Sequence, residues 1–481
     1  MIGSIHRQSS LFYVVLGHQA SLIKDDLLEP LDALLDDEAL VELVRSRLAA
    51  RNRLSTKAGR EGIAPDRLLR CCVLKHLKSW SFRDLERELR GSLVYRKFTR
   101  FDDGATPTYS AFNKLFKVLG SKVTRAIHER VVAQAREERI APGRVLRTDT
   151  TVVETNVHYP TDSSLLGDGI RVLTRHLSRI AIECDAGAVK VVDHARAVKY
   201  RLLEINRAAK SLAESGKEKL KAGYTKLLDV AGQVLRQAVT VTDRLAGRAG
   251  KKLKITGDAL RAEAEHAVLE RFVPLVQRVI KQTKERVIAG NNHAKNKLLS
   301  LFEPYTAVIR KGKAHKPNEF GQLVRLDEVE NGIVSGYDVE SGNPDDRDAW
   351  MPAIFQHKAK FGSAPRTATA DRGFFSAKNE QAARDAGVAK IALPAIGRLS
   401  AKRAKLQKQR WFRRLLKWRA GIESRISTLK HRFDLVRARY KGADGFEFHV
   451  GWSVIANNLV SLARGLIKRK RQEEQRDKDN G

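Results

Sequence analysis

The sequence predicts an α/β protein with a helical domain ahead of it and a helical insertion within it. Three observations carry that prediction. Residues 25–140 hold apolar side chains at helical spacing. Thr- and Val-rich runs open near Gly143 and return after residue 302. A long, highly charged helical stretch, 186–301, separates the two β-rich parts. The expected domains are 1–140 helical, 141–185 and 302–468 the two parts of the α/β core, 186–301 the insertion, and 469–481 a charged tail too polar to fold.

At 481 residues the chain exceeds what one core usually holds. Lys and Arg number 90 against 56 acids, a net charge of +34. Such a surplus implies a polyanionic partner, with nucleic acid first and an anionic membrane surface as the rival. The sequence gives no stretch read as approaching the roughly 20 apolar residues that span a bilayer. Its basic residues are spread rather than gathered at one anchor, so no membrane is expected. Cys71, Cys72 and Cys184 lack CxxC or zinc-ligand spacing and read as reduced core residues of a cytosolic protein. The apolar patch at residues 11–16 is too short for a signal peptide.

In chain order, "DDLLEPLDALLDDEALVELVRSRLA" spaces its leucines as amphipathic helix. Pro65 and Asp66 suit a helix start, and Ser81 suits an N-cap ahead of Asp84 and Leu85. "TPTYSAFNKLF" opens another helix. Short helices with basic connections fit a DNA-contacting domain and a plain scaffold equally. "RVLRTDTTVVETNV" has the composition of a strand, and "HYPTDSSLLGDGIRVLTRHL" reads as turn then helix. Within the insertion, Leu227, Val230, Val234 and Ala238 share a helical face, as do Leu269, Phe272, Val276 and Val279. Pro274 is expected to kink or start a helix, and "LAGRAGKKLKITGDAL" to be the loop of a helical hairpin. Strands return at "TAVIRKG" and "GQLVRLDEVENGIVSGYDVES", where Glu330-Asn331-Gly332 signals a hairpin turn. "RTATADRGFFSAKNEQAARDAG" reads as a strand ending at Asp371, a glycine turn and a helix. "KIALPA" is a further strand, 402–439 a basic helix, and "GWSVIANNLVSLARGLIKRK" a last amphipathic helix.

Three acids stand out in that framework. Asp149 lies between two threonines in a β-rich run, where a carboxylate is unfavourable unless compensated. Asp371 ends a strand immediately before Arg372-Gly373, where α/β folds place their sites. Glu423 shares residues 401–441 with only one other acid, Asp434, among many Lys and Arg. Ile422, Ile426, Leu429 and Phe433 form an apolar stripe, while Arg419, Glu423, Ser427 and Lys430 line a neighbouring face. Three converging carboxylates would suit two Mg²⁺ or Mn²⁺ ions, whose chemistry serves phosphodiesters, and the two cations would meet DNA phosphate beside them. Taken singly, each acid has a plainer reading: a strand-end acid, a turn residue, and an i,i+4 ion-pair partner of Arg419. His158 and Tyr159 read as structural and Asp162 as a helix cap. Asp338, Asp345, Asp346 and Asp348 read as loop acids with a lesser prospect of metal contact.

The ordered blocks resemble the DDE transposases of bacterial insertion sequences. "LRTDTTVVETNVHYPTDSSLL" looks like that family's first-aspartate block, "TADRGFFSAKN" like its second, and "RAGIESRISTLK" like its third, an Arg-x3-Glu-x6-Lys pattern. The N-terminal "LLRCCVLKHLKSWSFRDLERELRGSLVYRKF" resembles the helical domain that precedes their catalytic core. The resemblance implies an RNase H-like mixed-sheet core, with Asp149, Asp371 and Glu423 as catalytic, metal-binding acids and Arg419 and Lys430 as DNA-contacting residues. It further implies two Mg²⁺ or Mn²⁺ ions, cleavage at element ends and strand transfer. Its implied partners are terminal inverted repeats, target DNA and a second copy in a homodimer, in the cytoplasm at the bacterial nucleoid. The family's tyrosine three residues before the arginine is Leu416 here, which leaves a tyrosine–DNA contact in doubt. Two alternatives stand beside this reading: a nuclease with the same triad but no strand transfer, and a non-catalytic basic DNA-binding protein.

Overall fold

The computed structural model describes residues 2–3, 23–51, 61–102, 104–183, 191–211, 213–249, 257–291, 297–310, 317–395 and 397–480. The expected patch at 11–16, Cys184 and the loop centre at 250–256 lie outside them. The chain forms two compact units, one of Met1–Asn156 with Ala307–Gly481 and one of Val157–Thr306.

Among the described residues, the first unit opens with six helices: α1 (Leu28–Leu35), α2 (Glu38–Ala49), α3 (Pro65–Leu77), α4 (Phe82–Gly91), α5 (Leu93–Thr99) and α6 (Tyr109–Glu137). Helix α4 starts where Ser81 predicts, closed by a reciprocal capping box with Asp84. Helix α3 is buried along its whole length. It accommodates the buried Arg70 by pairing it with Asp32 (2.7 Å) and Asp36 (2.9 Å), since a lone interior charge would be strongly unfavourable. Cys71 and Cys72 are free and buried, and burial pushes both thiols up from their ordinary pKa.

Strand β1 (Val145–Thr155) leads into the second unit, helices α7 (Asp162–Glu183), α8 (Ala195–Ala208), α9 (Glu214–Ala249) and α10 (Gly257–Thr283). The helical unit thus begins at 157, not at the expected 186. The reason is the apolar face of α7: Leu165, Leu166, Ile170, Leu173, Leu177 and Ile180 bury with Leu227, Val234, Leu269 and Val276 in one core. Helix α10 runs through Pro274. That residue and Glu270 are exposed, so the carbonyl deprived of its intrahelical donor faces solvent.

The chain returns to the first unit with β2 (Ala307–Ile309), β3 (Glu319–Glu328), β4 (Val334–Glu340), α11 (Trp350–Phe361), β5 (Thr367–Ala370), α12 (Ala377–Asp385), β6 (Lys390–Ala392), α13 (Ala401–Lys408), α14 (Arg410–Arg432), β7 (Arg437–Ala438) and α15 (Gly442–Asn480). All strands join one seven-stranded sheet, ordered β2-β3-β1-β5-β6, with β4 on β3 and β7 on β1. Strand β3 is antiparallel to β1 and β4, whereas β5, β6 and β7 run parallel to their neighbours. The β3–β4 turn has Asn331 and Gly332 at positive φ (54° and 78°), the conformation Asn-Gly tolerates best. Asn458 of α15 brackets β4 from inside, accepting from the Val334 N–H and donating to its carbonyl, both at 2.8 Å.

Three further expectations are corrected here. The single helix over 402–439 is two helices and a short strand, because Gln409 is extended (ψ 142°) and Asp434 turns back at φ 58°. The tail at 469–480 is not without structure but continues α15 as an exposed helix. Its Lys, Arg, Glu and Gln are strong helix formers, aided by i,i+4 contacts such as Gln475 to Asp479 (2.9 Å). Finally, α15 does contain a window long and apolar enough to cross a membrane, but 72% of it is buried inside the protein. Trp452, Ile455 and Leu459 are there as core.

Candidate active site

Register brings the first two acids together. Strands β1 and β5 run parallel, with Thr148 opposite Ala370 as their last paired rung. Asp149 and Asp371 are therefore the next residues on adjacent strands, which lie about 4.8 Å apart in a sheet. Past that rung β1 keeps its partner β3 on one side, with Asp149 opposite Leu326. On the other side the next pairing is β7 at Glu154. The aspartates thus face a gap in the sheet among the described residues. Each uses one oxygen locally: Asp149 accepts from the Thr150 N–H (2.7 Å), and Asp371 from the Arg372 N–H (2.6 Å).

Helix α14 supplies the third acid, and a buried clamp seats it. Arg147, two residues before Asp149, donates to both carboxylate oxygens of Glu328 (3.0 and 2.7 Å). It also donates to the Trp418 carbonyl and lies over the Trp418 ring, 4.6 Å from its centroid. Arg425, two residues after Glu423 and on the opposite side of α14, joins the same Glu328 (3.3 Å) and Asn457 of α15 (2.9 Å). Gly421 is required for this seat: a Cβ there would come within 2.7 Å of the Arg147 guanidinium. The apolar stripe holds the helix from the same direction, with Ile422, Leu429 and Phe433 fully buried.

So placed, Arg419 is shared by all three acids. Its guanidinium lies 3.5 Å from Asp149, 3.7 Å from Asp371 and 3.7 Å from Glu423. The side chains grade outward, with Asp149 15% exposed, Asp371 47% and Glu423 70%. The Nε–H of Arg419 is buried with no acceptor among the described residues. No three of the described His, Cys, Asp and Glu stand close enough together to hold a metal as they are. Lys430 follows two turns along α14, half-buried.

A fourth carboxylate borders the cluster. Asp346, expected as a loop acid with a lesser prospect of metal contact, accepts from the Thr150 hydroxyl (2.9 Å) and lies where a Cβ on Gly373 would approach to 3.0 Å. It is thus tied to the residue after Asp149 and faces the turn after Asp371. Asp338, expected in a loop, lies in β4 instead and pairs with Arg325 (2.5 Å) and Arg125 (3.3 Å), while Asp345 pairs with Arg347. Asp162 is not the expected cap. Thr161 caps α7, accepting from the Ser164 N–H (3.1 Å), while Asp162 binds Gln282 (2.8 Å) and Arg286 (2.5 Å). His158 lies 3.7 Å from Asp168 within the helical unit, and Tyr159 there is exposed.

Sequence reasoning missed the clamp of Arg147, Glu328 and Trp418. The available signal was a pair of opposite charges, each inside a β-rich run, where neither is favourable alone.

Fold and site define a mixed α/β protein whose carboxylates collect at the end of parallel strands, beside a strongly basic helix. A family model described as Transposase domain (DUF772) matches residues 18–118, and one described as Transposase DDE domain matches residues 328–459. Together, in this order on one chain, they support a DDE transposase of an insertion sequence. The second match spans Asp371 and Glu423; Asp149 lies outside both. No curated protein and no solved structure matches the chain.

Proposed function

We propose that this transposase cuts DNA at the ends of its element and joins the freed ends to target DNA, with Asp149, Asp371 and Glu423 as a triad holding two divalent ions. The observation that carries the proposal is the sharing of one guanidinium by three acids from three separate elements. Strand order and direction support an RNase H-like core: β4-β3-β1-β5-β6, with β3 antiparallel between β4 and β1 and the last three parallel.

The donor chemistry suits the metal, and the three carboxylates would close in on it from their present spacing. Three hard-oxygen donors converge where a positive charge already resides, and Arg419 offsets only one of their three negative charges. Bound there, Mg²⁺ or Mn²⁺ would supply Lewis acidity toward the attacking and leaving oxygens of a phosphodiester. Arg419 then has a second task. Its unmatched Nε–H and its Nη groups suit a phosphate oxygen. A DNA phosphate on the guanidinium would free the three carboxylates that would hold the ions, so DNA and metal would favour each other's binding. Lys430 extends the phosphate track along α14. A 3′-hydroxyl freed by the first cut is the nucleophile for joining, and no side-chain nucleophile is needed. The N-terminal helices and the helical unit bind inverted repeats or pair two copies in a homodimer, acting on DNA in the cytoplasm.

The test uses a plasmid carrying the element's own ends. Asp149→Asn, Asp371→Asn and Glu423→Gln are each expected to abolish cleavage and leave DNA binding largely intact. Normal cleavage by Asp149→Asn and Glu423→Gln would overturn the triad. Pre-cut ends supplied to the wild type separate the transposase from a plain nuclease, which would not join them.

A further inference from the structure

Away from the carboxylates, the first unit encloses a cavity of about 540 Å³ between the α3–α4 connection, α6 and the turn from β7 into α15. Its size lies within the range of small-ligand sites. Two features of its wall are unusual for a gap between core helices.

The first is Lys75. Its side chain is 8% exposed and lines the cavity. Its Nζ rests over the rings of Phe82 (5.1 Å) and Tyr440 (5.3 Å) and donates no hydrogen bond among the described residues. Burial pulls its pKa down to about 8. An ammonium on the cavity wall, set over two rings and with only the charge of Asp434 nearby to favour it, would be answered by an anion in the cavity. The second feature is the combination of rings and charge. Trp80, Phe82, Tyr440 and Phe448 present aromatic surface. Lys75, Lys117, Arg439 and Lys441 outnumber Asp434 and Asp444, and Asp444 is engaged by the N–H (3.0 Å) and hydroxyl (2.5 Å) of Ser121. The Tyr440 hydroxyl is also buried without a partner among the described residues.

Flat rings beside cations match one ligand chemistry, an aromatic base bearing a phosphate. We propose that this cavity receives an unpaired nucleotide of the DNA substrate, its base against Phe82 and Tyr440 and its phosphate on Lys75 and the rim cations Arg439 and Lys441. The placement agrees. Asp434, two residues past the helix that carries Glu423 and Lys430, lines the cavity. At helical rise, the nine residues from Glu423 to the helix end at Arg432 span about 14 Å, or about four nucleotides of duplex. A base turned out of its stack there would fix the register of the DNA on the carboxylates without any reading of base edges.

The inference rests on DNA being the partner and not on the triad; its readout needs no cleavage, so the two readings fail separately. The full chain is photocross-linked to oligo-dT of about 20 nucleotides, longer than one single-strand footprint, carrying one 5-iodouracil. Cross-links are expected on peptides holding Trp80, Phe82 or Tyr440. In parallel, Lys75→Met is expected to weaken oligo-dT binding by about fivefold or more while a blunt duplex of the same length changes by less than about twofold. Arg439→Gln combined with Lys441→Gln, both exposed, is expected to show the same selective loss should the buried substitution disturb folding. Cross-links confined to other surfaces, or a loss equal on both DNA forms, would overturn the inference.

Discussion

Arg419 holds three carboxylates near one another that would otherwise repel. Its removal has a definite sign. Arg419→Ala leaves uncompensated negative charge, so Mn²⁺ binding in the absence of DNA is expected to tighten by roughly tenfold, about 1.4 kcal/mol, between the values for a charge pair in water and near a protein surface. DNA cleavage by the same variant is expected to fall, because the phosphate loses its partner. Calorimetric titration with Mn²⁺ checks the first effect, and unchanged or weaker binding would contradict it. A second effect at this scale concerns buried histidines. His128, His357 and His449 each donate a ring N–H to a backbone carbonyl, of Val334, Gly143 and Asp434 respectively (2.9, 2.9 and 2.8 Å). Burial lowers their pKa values to about 3, 4 and 4. The folded state therefore resists protonation that the unfolded chain accepts near pH 6.5. Their contribution is complete above that pH and is lost as pH falls toward 4. Melting temperature is expected to drop steeply over this interval, and less steeply in His128→Asn.

At the scale of elements, the question is what holds α14 against β1. The answer is the clamp, and its central acid is Glu328, 1% exposed and bound by two arginines. Glu328→Ala strands both guanidinium groups, so a loss of about 3–5 kcal/mol in urea unfolding is expected. Gly421→Ala pushes the helix off Arg147 and is expected to lower stability by about 1–3 kcal/mol and to reduce cleavage while leaving DNA affinity within about threefold. A variant with unchanged cleavage would show that the seat does not position Arg419 and Glu423. How much of this was legible in the sequence depended on whether its cause was local. The Asn331-Gly332 turn, the Ser81 cap and strands β2 to β6 follow from neighbouring residues and were readable. The adjacency of Asp149 and Asp371 is set by the register of Thr148 on Ala370, more than 200 residues away, so residue chemistry could nominate the two acids but not join them. Helix α7 was readable as amphipathic, yet nothing in its own pattern said that its partners were α9 and α10. The two-residue strand β7 left no pattern at all, and the tail was misjudged because polarity outweighed helix propensity.

For the whole molecule, the net charge of +34 is a statement about DNA. With many phosphate contacts, raising salt from about 50 to about 200 mM is expected to weaken binding by roughly a thousandfold or more, measured on a duplex of arbitrary sequence. The sheet, the N-terminal helices and α15 form one unit, so the carboxylate cluster and the aromatic cavity belong to the same unit. The most direct test of the account is a crystal of the full chain grown with DNA and Mn²⁺, read by anomalous scattering. Manganese peaks bounded by the carboxylates of Asp149, Asp371 and Glu423, with the Arg419 guanidinium turned to a phosphate, are the expected result. Peaks absent from that site in a protein that cleaves DNA in the same Mn²⁺ buffer would contradict it.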